Sequence, residues 1–376
     1  MAFALAGARV FDGEAMRDGL AVVIEGARIR DVVPANKLDR GLEVHALRGG
    51  ILAPGFIDVQ VNGGGGALLN DNPTIDTVKR IAGSHRKFGT TGMLPTVITD
   101  APAVLAQAIA SVKAARDAKV PGVLGIHIEG PFLDMDRKGA HDPNFIREMT
   151  ARDVEQVANT GCGTVMLTLA PNRVEPALIQ LLASQQVLVS LGHSNATMIE
   201  TQLALKAGAR AFTHVFNAMS QLTGREPGMV GTALYDEQSY CGLIADGLHV
   251  HDAAMKVAIA AKPKSRMMLV SDAMPAAAGG PGVFELQGRT VRREDGRLIL
   301  DDGTLAGSNL TMDEALRHCV AKLDVSLDDA LRMASLNPAS FMRCDHELGR
   351  VRPGYLASLV HLSDSLNVMQ TWIDGK

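Results

Sequence analysis

Aromatic side chains are scarce in this chain: 4% of its 376 residues are Phe, Tyr or Trp, with one Trp and three Tyr. No block of Lys and Arg interleaves with rings, so an extended nucleic-acid surface, which needs cations along a groove and planar groups to stack on, is not expected. The formal net charge of −4 points the same way, although a small anionic ligand needs only one or two local cations and stays open. No uncharged run approaches the ~20 residues that cross a bilayer. Residues 1–10 lack a basic n-region, so neither a membrane span nor a signal peptide is expected. Cysteine is scarce too. Cys162, Cys241, Cys319 and Cys344 are scattered and form no C-x-x-C pair, which fits buried free thiols in a reducing cytoplasm better than a disulfide framework.

What the chain does have is 47% hydrophobic residues, so its core is to be built from Ala, Val, Leu, Ile and Met. The length holds a barrel of ~250 residues plus a smaller unit. Residues 3–11, 20–24, 27–33 and 42–47 read as strands, with Glu25-Gly26 as a hairpin turn, and predict a small β unit over 1–53. Gly49-Gly50 and Pro54-Gly55 mark its boundary.

From Phe56 onward, short apolar runs alternate with helix-length segments, the pattern of βαβ units and a parallel sheet. Runs at 56–61, 92–97, 123–128, 165–169, 187–191, 211–215, 241–245 and 267–270 make about eight strands, the number that closes a (β/α)8 TIM-like barrel over 54–345. Helices are expected at 75–88, 103–118, 196–207 and 252–261, and Thr311 with Glu314 fits a capping box that opens another. Residues 283–305 break the rhythm and read as an inserted β-hairpin turning at Glu294-Asp295-Gly296. The tail, 346–376, returns to strand character and is expected to join the N-terminal strands in a small β-sandwich made by both chain ends.

In a parallel barrel the chemistry gathers where the strands end. Those ends offer Asp58, Gln60 and Asn62; His127 and Glu129; His193; His214 and Asn217; Asp246 and His249; and Asp272. Glu129, His193 and His214 make a two-imidazole, one-carboxylate set suited to Zn²⁺, with a coordination position left for a water whose pKa falls to ~7. Taken singly each histidine is more often structural; three strand ends together favour a site. Asp272 is a candidate general base, against the plainer reading of a turn or N-cap aspartate. Gly63 to Gly66 lack the Gly-Lys-Ser/Thr ending of a phosphate loop and read as close-packed backbone. Arg225 and His249 follow the sixth and seventh strands, where cations can meet a phosphate, although an exposed arginine is usually only a solvated group.

Five segments in order, Pro54-Gly55-Phe56-Ile57-Asp58, His127-Ile128-Glu129-Gly130-Pro131-Phe132, Leu191 to Thr197, Thr213 to Met219 and Val270-Ser271-Asp272-Ala273, resemble the N-acetylglucosamine-6-phosphate deacetylase family of the amidohydrolase superfamily. The resemblance implies a homodimer that hydrolyses the N-acetyl group of a phosphorylated amino sugar, N-acetylglucosamine 6-phosphate, to glucosamine 6-phosphate and acetate. It implies that Glu129, His193 and His214 bind the metal and that Asp272 is the acid/base. His141 would orient or polarise the acetyl carbonyl, Asn217 and Ala218 would offer backbone contacts, and Arg225 and His249 would hold the phosphate.

Many members of the superfamily carry His-x-His at the end of strand one for a second metal, where this chain has Gln60-Val61-Asn62. One divalent ion per chain is therefore expected, Zn²⁺ first, with Fe²⁺ or another as alternatives, and Gln60 beside it as a water or supporting contact. The competing readings are an amidohydrolase acting on a different N-acyl sugar or a cyclic amide, and a barrel that has lost its chemistry.

Overall fold

In the computed structural model, which describes residues 2–376, the eight apolar runs form one parallel sheet rolled into a barrel. Its strands are β1 (Phe56–Val61), β2 (Thr90–Ile98), β3 (Gly125–Glu129), β4 (Thr164–Leu169), β5 (Leu188–Leu191), β6 (Ala211–Phe212), β7 (Tyr240–Leu243) and β8 (Met267–Leu269). Each lies parallel to the next in chain order, as crossovers through helices require. With helices outside and side chains packed within, β1, β2 and β3 are buried along their whole length, which is why they read as apolar runs without alternation. The run expected at 211–215 pairs only as far as Phe212, because His214 leaves the β region at φ 32°.

The seam closes just past β8. Val61 pairs with Ala273, the Asp272 N–H donates to the Gln60 carbonyl at 3.0 Å, and the Asn62 N–H donates to the Ala273 carbonyl at 3.0 Å. Asp58, fully buried, accepts the N–H groups of Gln60 and Ser271 and so ties β1 to the same seam. Closure by this register sets Asp272 beside Gln60 and Asn62.

The helices start where their capping residues stand. Thr197 and Glu200 form a reciprocal capping box on Met198–Lys206, as do Thr150 with Asp153 and Thr311 with Glu314 on the helices that follow them. Among the described residues no helix is long and apolar enough to cross a membrane.

Two sheets from the chain ends pack beside the barrel. Ala2–Ala6, Leu20–Glu25, Arg28–Pro34 and Glu43–Ala46 form one; Arg9–Phe11, Met16–Arg17, Ile51–Pro54, Leu359–Leu362 and Val368–Trp372 form the other. Leu5, Val22, Ile24, Leu52, Leu359 and Trp372 share the core between them. The strand expected over 3–11 is thus two strands in different sheets. Gly7 makes the switch: its φ is 104°, and a Cβ there would lie 2.3 Å from the Leu47 carbonyl oxygen.

The inserted hairpin is present as Arg289–Glu294 and Arg297–Ile299, and a third strand, Val283–Leu286, precedes it. The joining pair Gln287-Gly288 has φ 50° and 76°, the positive values that two-residue hairpin turns need. Leu286, Val291, Leu298 and Ala306 pin this small sheet over Ile98 and Met274 at the barrel mouth.

Candidate metal centre and substrate cavity

Strand β3 alternates, so Ile126 and Ile128 face the surrounding helices while His127 and Glu129 point into the barrel. The two inward groups lie at different depths. His127 Nε2 is 2.7 Å from Thr168 Oγ1 and its Nδ1 is 3.3 Å from Thr96 Oγ1, and Thr168 continues through Thr213 to Ser190 in a layer of hydroxyls across the barrel. Burial pushes the His127 pKa down to about 4, so it is a neutral supporting group beneath the site.

Two residues farther along the strand, on the mouth side, Glu129 meets His193 and His214. Its Oε1 lies 3.2 Å from His193 Nε2 and 3.1 Å from His214 Nε2, and the two nitrogens are 3.1 Å apart. Among the described residues this is the one group of three that converges closely enough to hold an ion. The donor set fits a divalent cation. His193 Nδ1 stands 2.9 Å from the Arg137 carbonyl oxygen, an acceptor only, so that nitrogen carries the ring proton and Nε2 turns a lone pair inward. His214 Nδ1 is buried with no hydrogen-bond partner, and its Nε2 is the ring atom that faces Glu129 and His193. Burial alone would raise the Glu129 pKa; hydrogen bonds and charge from His193 and His214 outweigh it and hold the carboxyl well below its usual range.

Across the mouth, Asp272 behaves oppositely. Burial first, and then the negative charge of Glu129, push its pKa up to about 6. Its Oδ1 accepts Asn62 Nδ2 at 2.7 Å and Gln60 Nε2 at 3.0 Å, and the same Gln60 nitrogen lies 3.2 and 3.3 Å from the two Glu129 oxygens. Two carboxylates driven apart in pKa by their surroundings are the arrangement that separates a fixed anion from a proton carrier. His193, His214 and Asp272 leave their strands at φ 47°, 32° and 52°, left-handed values uncommon outside glycine, which turn their side chains over the mouth.

These groups line a cavity of about 350 Å³, with Ile98, Ile244, Met274 and Leu305 as its apolar wall. His141 lines it too, its ring edge-on to His193 at 4.4 Å and its Nδ1 2.9 Å from Thr99 Oγ1. His249 binds Asp246 Oδ2 through Nδ1 at 2.7 Å, leaving a buried, unpartnered Nε2 in the cavity wall. Asn217 and Ala218 follow β6 into the same wall, where the Ala218 carbonyl accepts the Ser194 N–H at 3.0 Å. The structure thus brings together all the expected site residues that line the cavity, with Gln60 just behind Glu129 and Asp272. Arg225 is the exception: it sits in the exposed stretch 221–226, outside the wall of its own chain's cavity.

A model of the amidohydrolase family matches residues 51–376, and a model of the NagA composite domain matches residues 2–52. The chain belongs to the amidohydrolase family. It is 42% identical to an N-acetylgalactosamine-6-phosphate deacetylase of Shewanella sp. (strain ANA-3), over 88% of this chain and 84% of that one. It is 33% identical to an N-acetylglucosamine-6-phosphate deacetylase of Haemophilus influenzae, over 96% and 95%. The crystal structure of N-acetylglucosamine-6-phosphate deacetylase from Pasteurella multocida superposes with a TM-score of 0.97 at 32% identity, covering 100% of this chain and 99% of that one.

Some functional groups of this amidohydrolase went unnoticed in the sequence. Thr99 directly follows β2 and obeys the same end-of-strand rule that picked out Glu129, so the signal was there. Asn62 stands at a strand end in the sequence, and only the closed barrel shows its amide donating to Asp272. The Arg137 carbonyl comes from a single short turn and Thr304, Leu305 and Gly307 from an irregular loop, neither long enough to carry a periodicity to read.

Proposed function

We propose that this amidohydrolase removes the acetyl group of N-acetylglucosamine 6-phosphate, giving glucosamine 6-phosphate and acetate. The observation that carries the reading is the convergence of Glu129, His193 and His214 on one point with Asp272 facing it across the cavity. One divalent ion held there, with zinc favoured by the imidazole and carboxylate donors, supplies Lewis acidity and an acidified water. A single ion is supported by Gln60 and Asn62, whose amide nitrogens donate to carboxylates.

In the reaction the water oxygen adds to the acetyl carbon, the C–N bond breaks, and the water's proton ends on the departing amine. Asp272 moves that proton. Gln60 and Asn62 occupy its Oδ1, which leaves Oδ2 to take the proton and hand it to nitrogen. His141 donates from Nε2 to the acetyl carbonyl and steadies the charge that builds there. His249 Nε2, Asn217 and the Ala218 N–H receive the phosphate and align the distant amide.

Arg225 completes the phosphate site from a second copy of the chain. The homodimer is supported by large apolar side chains left exposed on the helices that flank the Arg225 loop in sequence, namely Ile199, Leu203 and Tyr235, and by Leu222 within that loop. Four free thiols support a cytoplasmic enzyme. A second substrate, the galactosamine epimer, is favoured by the 42% identity to a deacetylase of that sugar phosphate.

The test is acetate release from both N-acetylated epimers by protein of measured metal content. Turnover of N-acetylglucosamine 6-phosphate supports the reading; a metal-loaded protein that releases acetate from neither epimer sinks it.

A further inference from the structure

His141 has no regular element to hold it. It lies in the irregular loop between the turns Met135–Arg137 and Pro143–Phe145, yet it is only 4% exposed. Its ring is fixed instead by one hydroxyl: Thr99 Oγ1, fully buried at the end of β2, 2.9 Å from Nδ1. That hydroxyl has one hydrogen and two possible acceptors, His141 Nδ1 and the Glu129 carbonyl oxygen at 3.3 Å. The carbonyl can only accept, whereas Nδ1 gives or takes a hydrogen according to its tautomer, so the hydroxyl bridges the two and fixes the ring against the end of β3.

Thr99 and His141 are themselves tied together by the tip of the inserted sheet. Gln287 Nε2 donates to the Thr99 carbonyl at 2.7 Å and to Asp100 Oδ2 at 3.0 Å. Arg289 Nη2 donates to the Ala140 carbonyl at 2.5 Å and to Gln287 Oε1 at 3.3 Å. The circuit closes on itself from Ala140 to His141, Thr99, Gln287, Arg289 and back to Ala140. Gln287 stands at φ 50° in a turn position where Asn or Gly is the usual choice, which points to a use for its longer amide. Gly130 is cut to the same fit, since a Cβ there would lie 2.1 Å from Thr99 Oγ1.

We propose that Thr99, Gln287 and Arg289 are positioning residues that hold the His141 ring and aim its Nε2 at the acetyl carbonyl, so that the inserted sheet is a working part of the active site. This rests on the reading of His141 as a donor to that carbonyl. Thr99→Val keeps the shape and removes the hydroxyl. It should lower kcat for N-acetylglucosamine 6-phosphate about 10- to 100-fold, by analogy with the loss on removing the outer partner of a metal-bound histidine, with KM and bound metal unchanged. Thr99→Ser should restore most of the loss, and Arg289→Met, in the half-buried edge of the inserted sheet, should lower kcat as Thr99→Val does. In a His141→Ala background Thr99→Val should add nothing.

Losses that multiply in that background, a metal-depleted Thr99→Val enzyme, or a Thr99→Val enzyme with wild-type kcat beside an impaired His141→Ala would each overturn the proposal. A His141→Ala enzyme with wild-type kcat would instead remove the reading of His141 on which it stands.

Discussion

Replacing Asp272 by asparagine should make the protein more stable and nearly inactive. The side chain is buried, and its Oδ1 already accepts two amide N–H groups, which an asparagine oxygen at the same place can keep. What is lost is the basic Oδ2. A positioned proton carrier contributes ~10²–10⁴-fold to rate, so kcat should fall by that factor, or about 2.7–5.4 kcal/mol of barrier.

The stability effect follows from the pKa of about 6, raised from 3.8 by burial and by Glu129. A carboxyl whose pKa is raised in the folded state binds more protons there than when unfolded, so stability falls as pH climbs through 3.8 to about 6 and stays reduced at pH 7. The amide mimics the neutral acid. Removing the charge should return on the order of 3 kcal/mol to metal-free protein. With an unfolding entropy of ~2.1 cal/mol/K per residue, that raises Tm by about 4 °C. Scanning calorimetry of chelated protein and acetate-release kinetics measure the two halves. The gain should shrink with metal bound, because a cation offsets the charge. A metal-free variant that melts below wild type, or a kcat within tenfold of it, would refute the assignment.

Glu129→Gln and His193→Ala should each lose most bound metal on dialysis, read by metal analysis of the purified protein; full metal content in both would move the ion elsewhere. Since Asp272 must be ionised to accept a proton, kcat/KM should fall as pH drops through about 6 or lower, the bound cation pulling the limb down, and a profile flat to pH 4 would exclude it. Mixing Arg225→Ala with Asp272→Asn, refolded or exchanged together, should recover about a quarter of wild-type activity from mixed dimers that each assemble one complete site. No recovery, in protein shown to exchange subunits, would return Arg225 to a role within its own chain.

The barrel was legible because its strands are buried on both faces. A β strand sandwiched between helices and a packed interior has no polar side, and its run ends abruptly where the chain emerges at the mouth. The metal group was legible for the same reason: Glu129 is the last residue of its strand, and His193 and His214 each stand two residues past theirs. Sequence gave less away where two neighbours compete for one stretch. Residues 3–11 have unbroken strand character, but Gly7 passes the chain from one sheet to another, which depends on the Leu47 carbonyl closing over it from 40 residues away in the chain. Val283–Leu286 lacked a clean alternation, with only Leu286 fully buried, so the third strand of the insert was invisible until its partner was placed.

Gln60 and Asn62 show why the chemistry of a site outruns its motif. As isolated residue types at a strand end they are merely weak metal ligands. Once the barrel closes between β1 and the segment after β8, the Gln60 amide falls between the two carboxylates and donates to both, while Asn62 donates to Asp272. In that position they do without an ion what a second cation does elsewhere: they let Glu129 and Asp272 approach within reach of one amide. They also leave the two acids with different work, because Glu129 gains the imidazoles and Asp272 does not. The division between metal ligand and proton carrier is therefore set by the closing seam of the barrel, which no stretch of sequence displays on its own.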